Sequence, residues 1–396
     1  MDPARARATL GRRRLDALLA VTPEDVQHLT GHRPYAAGLG QAVAVLAADG
    51  ASRALVVGAW DHGRARTESD VAVVLASPVW IEVDELDDLR AGTTTVRPKP
   101  AQHDEAAAAV LVRDALEASG VDVGAPLRIG VATHALALAD AEALRAVLPR
   151  AELVDAVAAF HDLRAIKHPV EVARLRHAAA LADDALRATL AAGVEGRSPL
   201  RLRAAFAAAA WSAASHGDAA VTEVRGDFTT GGEVAPSRRA DTTPIAPGDV
   251  LFADFGVEVD GYGSDAGRSF AVGRVPALSA RIFDALLAGH AAAVPLIRPG
   301  TPMREVFRVA QDAVRRGGLP TYTRGHVGHA AGLGLDEQGP FLGPFEERPL
   351  EPGMVVCFET PYYVRGLGGH QLEDMYLITD DGAERLTHHP AALVAL

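Results

Sequence analysis

The sequence has a single cysteine, Cys357, among its 396 residues. One cysteine excludes an intramolecular disulfide framework and a thiolate metal site, and it is compatible with a reducing compartment. We therefore expect a cytoplasmic protein. Because apolar residues surround Cys357 in the sequence, we interpret it as a buried, inert thiol rather than a reactive one.

Positive charge is also scarce, since 39 Lys and Arg residues stand against 51 Asp and Glu residues and give a formal net charge of -12. Binding to nucleic acid depends on clustered basic side chains that neutralise phosphates. The only short basic run, residues 12–14, fits a solvated face of a helix. The composition therefore argues against a nucleic-acid partner.

Long apolar runs are missing as well. The N-terminal stretch is interrupted by Asp16 and contains no small-residue cleavage site, so we expect no signal peptide. No segment approaches the roughly twenty uninterrupted apolar residues of a spanning helix, so we expect no membrane insertion. With 48% hydrophobic and 23% charged residues, the composition is that of a folded globular protein, and the length is sufficient for two domains.

Helical and strand-like patterns alternate over the first part of the chain. Apolar residues at helical spacing predict helices at residues 4–20, 105–119 and 140–147, and short apolar runs predict strands at residues 42–46, 54–57, 71–75, 128–132 and 152–157. Such alternation is typical of an α/β domain.

The pattern changes after a polar stretch around residues 160–168. Helical spacing predicts one helix from Pro169 until Gly193 stops the pattern, and a second helix over residues 202–214. Strand-like runs and glycine-rich turns follow these helices. We therefore predict a second domain of the α+β class, with its helices first and its sheet afterwards.

Two aspartates of this second domain lie in strand-like surroundings. Asp254 occupies the apolar run 251–256, where an uncompensated carboxylate is costly to bury, so it needs a cation nearby. Asp265 comes after the pair Asp260-Gly261, which is a hairpin signal. The two strands should fold back on each other and turn both carboxylates towards one site.

Three further candidate ligands follow in the chain. His329 stands in the glycine-rich segment 325–333, and Glu359 and Glu373 lie within or beside apolar, strand-like runs. Two divalent metal ions would balance the charge of these four carboxylates and one imidazole. Oxygen and nitrogen donors without sulfur favour hard or borderline cations, so we expect Mn first, with Co, Zn or Fe as alternatives.

The order and context of these five residues resemble the creatinase, prolidase and aminopeptidase P family of pita-bread hydrolases. The aspartates are eleven residues apart, the histidine follows a glycine, one glutamate comes after a Glu-Pro-Gly-Met-Val segment, and the other precedes an aspartate. The resemblance implies a creatinase-like N-terminal domain at residues 1–162, a pita-bread catalytic domain at residues 163–396, and a homodimer.

The resemblance also implies the chemistry. It implies a dinuclear metal-dependent hydrolase similar to Xaa-Pro dipeptidase or aminopeptidase, in which a metal-bridging hydroxide cleaves the C–N bond of a small peptide or amide. Its metal ligands would be Asp254, Asp265, His329, Glu359 and Glu373. Glu359 is also the expected catalytic proton carrier, which passes a proton to the leaving nitrogen.

Two positions depart from the family's pattern. Ser237 and Asp336 stand where the peptidases usually have histidines that hold the substrate or the tetrahedral intermediate. We interpret both as substrate-binding candidates: Ser237 remains a donor, and Asp336 suits a cationic substrate group or is a surface acid. His326 is the candidate catalytic replacement and His370 the candidate substrate-binding replacement, with loop or supporting roles as the alternative.

Neighbouring polar residues leave the substrate open. Gln371 stands where the family often has an arginine, and Arg268 is expected to support the metal carboxylates. A second hypothesis keeps the metal site but assigns it a small non-peptide amide or amidine, as in a creatinase-like amidinohydrolase or a lyase. A third hypothesis is a non-catalytic pita-bread binding module.

Overall fold

The computed structural model describes residues 1–81, 84–94, 104–214, 220–231, 241–335 and 338–396. The chain divides into two compact units, Met1–Arg164 and Ala165–Leu396. The sequence placed the boundary slightly earlier, after Asp162.

The N-terminal unit is built on one mixed sheet. Its elements are α1 (Pro3–Arg13), β1 (Ala17–Ala20), α2 (Pro23–Thr30), β2 (Ala42–Ala47), β3 (Arg53–Gly58), α3 (His62–Glu68), β4 (Val73–Ser77), α4 (Leu86–Ala91), α5 (Glu105–Ala118), β5 (Leu127–Val131), α6 (Leu138–Val147), β6 (Ala151–Asp155) and α7 (Val157–Arg164). The strand order is β4-β3-β2-β1-β5-β6. Apolar clusters cover both faces of this sheet, and its central strands β1 and β2 are accordingly apolar and buried at every position.

The predicted helix over residues 4–20 is wrong in its second half. Helix α1 ends at Arg13, and Arg14 adopts a left-handed conformation with φ of 54°. Residues 17–20 form the strand β1 in the middle of the sheet. Leu18 and Leu19 fit a helical stripe by spacing, but they pack into different clusters on opposite faces of the sheet. A strand that is buried on both faces has no alternation of apolar and polar residues. Its sequence pattern therefore cannot be distinguished from that of a buried helix, and the helical prediction was wrong.

The C-terminal unit has helices first and a large sheet afterwards, as predicted. Its elements are α8 (Pro169–Ala191), α9 (Pro199–Ala214), β7 (Val221–Thr230), β8 (Val250–Val259), β9 (Tyr262–Gly263), β10 (Ala266–Ala271), α10 (Ala277–Ala293), α11 (Met303–Arg316), β11 (Gly328–Ala330), β12 (Gln338–Phe341), β13 (Val355–Glu359), β14 (Tyr362–Val364), β15 (Gly368–His370), β16 (Glu373–Ile378), β17 (Ala383–Arg385) and β18 (Val394–Ala395). The main path through the sheet is β12-β11-β13-β16-β10-β8-β7. The α/β and α+β assignments of the two domains are confirmed.

The hairpin predicted at Asp260-Gly261 is present. Both residues have positive φ angles, 49° and 87°, and Val259 pairs directly with Tyr262 across the two-residue turn. This geometry matches the right-handed twist of the two strands. The same antiparallel register continues into β10, where Gly267 pairs with Asp254. The hairpin therefore fixes which residues of β8 and β10 face each other.

The segment Ala277–Leu296 has the length and the mean hydropathy, 1.3, of a candidate membrane span. It contains Arg281 and Asp284, and its helix α10 packs against α11 through Ile282, Leu286 and Val314. The core helix of a folded domain passes the same test, so the segment is weak evidence for a membrane. The absence of membrane insertion stays a prediction.

Candidate metal centre

The sheet of the C-terminal unit carries the predicted ligands on one face. Residues that pair directly across neighbouring strands point to the same face, and so do residues two apart on one strand. Gly267 pairs with Asp254 on one side and with Glu373 on the other, and Glu373 pairs with Glu359. Three of the four carboxylates therefore share a face by register alone.

The imidazole joins the same face from the next strand. His329 pairs directly with Cys357, which lies two residues before Glu359. Asp265 enters from the short segment between β9 and β10, two residues before Gly267. Five separate segments of the chain thus converge, which explains why the ligands are so widely spaced in the sequence.

Three of the ligands form a tight, buried group. His329 Nε2 lies 3.7 Å from Asp265 Oδ2 and 3.6 Å from Glu373 Oε1. His329 Nδ1 lies 3.1 Å from the carbonyl oxygen of Ala330. A proton on Nδ1 would be donated to that carbonyl, leaving the lone pair of Nε2 directed at the carboxylates. This is a donor arrangement that suits a divalent cation.

Cys357 lies beside this group. Its Sγ and the ligand atoms of Asp265, His329 and Glu373 are all within 4.8 Å of one another. The exclusion of any thiolate ligand from the cysteine count was therefore too strong, because one thiol does border the cluster. The side chain is fully buried, as predicted, and burial together with the charge of Asp265 raises the pKa of the thiol well above its ordinary value.

Burial and neighbouring charges shift the pKa values of the candidate ligands. The pKa of Asp254 is raised by burial and by the neighbouring Asp265 and Glu373, and burial and Asp265 raise the pKa of Glu373 to about 8. Burial alone would lower the pKa of His329, but the nearby carboxylates of Glu373 and Asp265 raise it to about 10. These carboxylates need positive charge, and their oxygen and nitrogen donors fit a hard or borderline cation.

Glu359 has positive or protonatable neighbours of its own. Arg324 Nη2 donates to Glu359 Oε1 at 2.8 Å, and His326 Nδ1 lies 3.5 Å from the same oxygen. Both residues precede β11 in the chain. The structure thus places the candidate proton carrier Glu359 next to the candidate catalytic residue His326. The sequence reasoning had not singled out Arg324.

Arg225 was also missed, and it lies within the site. Its Nη2 donates to Asp265 Oδ1 at 2.6 Å and lies 3.5 Å from Asp254 Oδ1, while its Nη1 donates to the carbonyl oxygen of Leu335. Arg225 belongs to β7 and pairs with Gly256 of β8. An arginine on the strand beside that of Asp254 would have indicated a site residue. The sequence does not show that β7 pairs with β8, so this signal could not be used.

His370 and Gln371 lie at the start of the segment that leads into β16. His370 is fully buried, neither ring nitrogen has a hydrogen-bond partner among the described residues, and burial lowers its pKa to about 4. Gln371 Nε2 donates to Glu373 Oε2 at 2.6 Å and packs over Gly267, where an added Cβ would lie 2.3 Å from Gln371 Cδ. Gln371 therefore orients the ligand Glu373.

Arg268 does not support the metal carboxylates in the expected way. Its guanidinium donates to Asp374 Oδ1 at 2.5 Å and to the backbone carbonyl of Glu373, on the opposite face of the sheet. The reason is strand alternation, since Arg268 is three residues from Asp265 and thus faces the other way. Ser237 and Asp336 lie outside the described residues.

Comparisons with known proteins identify the family. The family profile described as "Metallopeptidase family M24" matches residues 173–380, and the profile "Creatinase/Prolidase N-terminal domain" matches residues 4–166. The "Probable dipeptidase PepE" of Mycobacterium tuberculosis is 30% identical over 284 residues, 70% of this chain and 72% of that protein. The "Xaa-Pro dipeptidase" of Pyrococcus furiosus is 29% identical over 226 residues, 57% of this chain and 64% of that protein.

A solved structure, "Xaa-Pro dipeptidase from Bacillus anthracis", superposes with a TM-score of 0.79 at 21% identity and covers 99% of this chain and 98% of that one. At that identity the superposition supports the fold alone. The two profile matches together account for most of both units, and the M24 match spans the segments that carry all five candidate ligands. The chain belongs to metallopeptidase family M24.

Proposed function

We propose that this protein is a metal-dependent peptidase that hydrolyses small peptides of the Xaa-Pro type. The observation that carries the proposal is the convergence of Asp265, His329 and Glu373 on one buried face, with Glu359 on the neighbouring strand. The substrate class comes from the relatives described as Xaa-Pro dipeptidases.

The donors fit a divalent cation. Asp265, His329 and Glu373 would hold it most closely. Asp254 and Glu359 lie on the same face of the sheet, on strands β8 and β13 at opposite sides of this group. A divalent cation bound there lowers the pKa of a coordinated water and polarises a carbonyl oxygen. A set of oxygen and imidazole donors supports Mn as the first metal to test, with Co, Zn and Fe after it.

Glu359 is the residue that moves the proton in this proposal. The hydrogen bond from Arg324 holds the carboxylate of Glu359 in place, where it can accept a proton and later pass it to the leaving nitrogen. His326, about a quarter exposed, contacts the same oxygen and can exchange a proton between Glu359 and the open side of the site.

The test uses the full chain, stripped of metal with a chelator, reloaded with Mn²⁺ and assayed against a panel of Xaa-Pro dipeptides and tripeptides. We expect the wild type to release proline and Glu359→Ala to release none. The variant should still fold and should still bind metal through its remaining ligands. No proline release from protein with measured bound metal would overturn the proposed substrate class.

The alternatives from the sequence remain predictions, because Ser237 and Asp336, on which they rest, lie outside the described residues. A creatinase-like amidinohydrolase or a lyase would turn over small guanidino or cyclic amidine compounds but not peptides. A non-catalytic binding module would bind metal after reloading and turn over neither class. The same panel, extended with these compounds, separates the three functions.

Three further properties belong to this proposal. A homodimer rests on the family resemblance and is tested by sedimentation. A cytoplasmic location rests on the single, buried cysteine and is tested by cell fractionation. The number of ligands by itself suits the two cations that the sequence predicts, whereas the position of Arg225, described below, favours one; metal counting tests the number.

A further inference from the structure

The position of Arg225 bears on how many cations the site holds. Four carboxylates, Asp254, Asp265, Glu359 and Glu373, share the ligand face. They do not stand alone, because Arg225 contacts the first pair and Arg324 contacts Glu359. With all six side chains ionised, as they would be around a bound cation, four negative and two positive charges leave a net charge of -2. One divalent cation, not two, balances that charge.

Arg225 reaches Asp265 from the far side of strand β8. Arg225 pairs with Gly256, and the register that pairs Gly267 with Asp254 puts Asp265 across from Gly256 on the other side. Adjacent strands are about 4.8 Å apart, so an arginine side chain is long enough to reach from β7 to the segment on the other side of β8. The arginine thus crosses β8 and meets Asp265.

The guanidinium is fixed in this place by more than one contact. Nη1 donates to the carbonyl of Leu335, and Nη2 donates to Asp265 and lies near Asp254. The side chain is only 14% exposed. An arginine side chain stays protonated at any physiological pH, so Arg225 is a permanent cation.

We infer that Arg225 takes the place of a second metal ion between Asp254 and Asp265, so that the protein binds one divalent cation tightly, on Asp265, His329 and Glu373. A second cation held by Asp254 and Asp265 would have to compete for the carboxylate oxygens that the guanidinium already contacts. Displacing a buried ion-pair partner, together with its repulsion from the incoming cation, makes that second site weak. This inference rests on the metal site of the proposed function, but not on its substrate.

The remaining charged groups nearby do not change this count. Asp227 is on the same face of β7, but Arg203 Nη2 lies 3.5 Å from its Oδ1, so this pair is balanced by itself. Arg203, Asp227 and Arg225 line a cavity of about 220 Å³ at the β7 edge of the sheet. Arg203 therefore offers a matched control, because it lines the same cavity as Arg225 and pairs with a different carboxylate.

The experiment counts metal ions. Wild type, Arg225→Gln, Arg225→Lys and Arg203→Gln are purified in Mn²⁺ and dialysed against metal-free buffer, and the bound Mn is measured per chain by mass spectrometry and by calorimetric titration. We expect one Mn in the wild type, in Arg225→Lys and in Arg203→Gln, and two in Arg225→Gln. In the wild type the second ion should bind at least about 100-fold more weakly than the first.

Two tightly bound ions in the wild type, or a single ion in Arg225→Gln, would overturn the inference. If Arg225→Gln is poorly folded without metal, thermal unfolding with and without Mn²⁺ gives a second measure, because added Mn²⁺ should raise its melting temperature more than that of the wild type. An equal rise in melting temperature in the variant and the wild type would contradict the inference. Peptidase assays on the same preparations are independent: one Mn with no proline release leaves the inference intact and refutes the proposed substrate.

Discussion

On the face of the sheet opposite the candidate metal centre lies a buried ion pair, and its loss should lower the free energy of unfolding of the C-terminal unit. Arg268 and Asp374 are 1% and 0% exposed, and Nη2 of the arginine lies 2.5 Å from Oδ1 of the aspartate. Thr387 Oγ1 donates to the same oxygen at 2.7 Å, and His290 Nε2 lies 3.3 Å from the other oxygen. We predict that Arg268→Met destabilises the protein strongly, because Asp374 is left buried without its main counter-charge.

The magnitude follows from two arguments. Removing one partner of a buried ion pair typically costs about 3–5 kcal/mol. Independently, burial would raise the pKa of Asp374, but His290 and Arg268 lower it from 3.8 to about 2. The ionised Asp374 carboxylate with its partners thereby adds about 2 kcal/mol to the free energy of unfolding at neutral pH. Since the folded-state pKa is lowered, this contribution is complete above the unfolded pKa near 4 and is lost as the pH falls towards 2.

The assay is urea unfolding at pH 7 in a background in which Trp60 and Trp80 are replaced by Phe, so that fluorescence reports Trp211 of the C-terminal unit. We expect Arg268→Met to lower the free energy of unfolding of that unit by about 3–5 kcal/mol. Arg176→Met is the matched control, because Arg176 also contacts a carboxylate at 2.5 Å, that of Glu384, but the two side chains are 48% and 41% exposed. An exposed pair contributes about 0–1 kcal/mol. Equal losses in the two variants would refute the reasoning.

Three predictions concern the site itself. Gln371→Ala should weaken metal binding about 10–100-fold, because Gln371 orients Glu373; competition with a chelator measures the affinity, and an unchanged affinity would contradict this role. Cys357 should not react with a thiol reagent in the native protein, and Cys357→Ala should bind metal like the wild type; rapid labelling before unfolding would show that the thiol is accessible. His326→Gln should lower kcat about 100-fold with a smaller change in KM, and an effect on KM alone would make His326 a binding residue instead.

The sequence predicted the elements that depend on local chemistry. The turn at Asp260-Gly261 needs two positive φ angles, and this dipeptide favours them wherever it occurs. Helix α8 begins with Pro169 at its first turn and ends before Gly193, which has a φ of 85°. Such signals lie within a few residues of the element that they define, so they can be read without the fold.

Arg225 could not be predicted because its role depends on the pairing of distant strands. Nothing near Arg225 in the sequence shows that β7 lies beside β8, or that Asp265 comes within reach of its guanidinium. Arg268 is a different case. Its spacing of three residues from Asp265 already placed the two on opposite faces of a strand, so the expectation that it supports the metal carboxylates overlooked a signal that was present.

The neighbours Glu373 and Asp374 show how one strand separates a structural carboxylate from a functional one. Both are buried, yet the pKa of Asp374 falls to about 2 and the pKa of Glu373 rises to about 8. The difference comes from strand β10, which presents Arg268 to Asp374 but pairs the side-chain-free Gly267 with Glu373. A protein cation satisfies the first carboxylate, whereas the second must share its charge with Asp265 and His329. Glu373 is therefore available as a metal ligand, whereas the equally buried Asp374 is already neutralised by Arg268, so burial alone does not distinguish the two carboxylates.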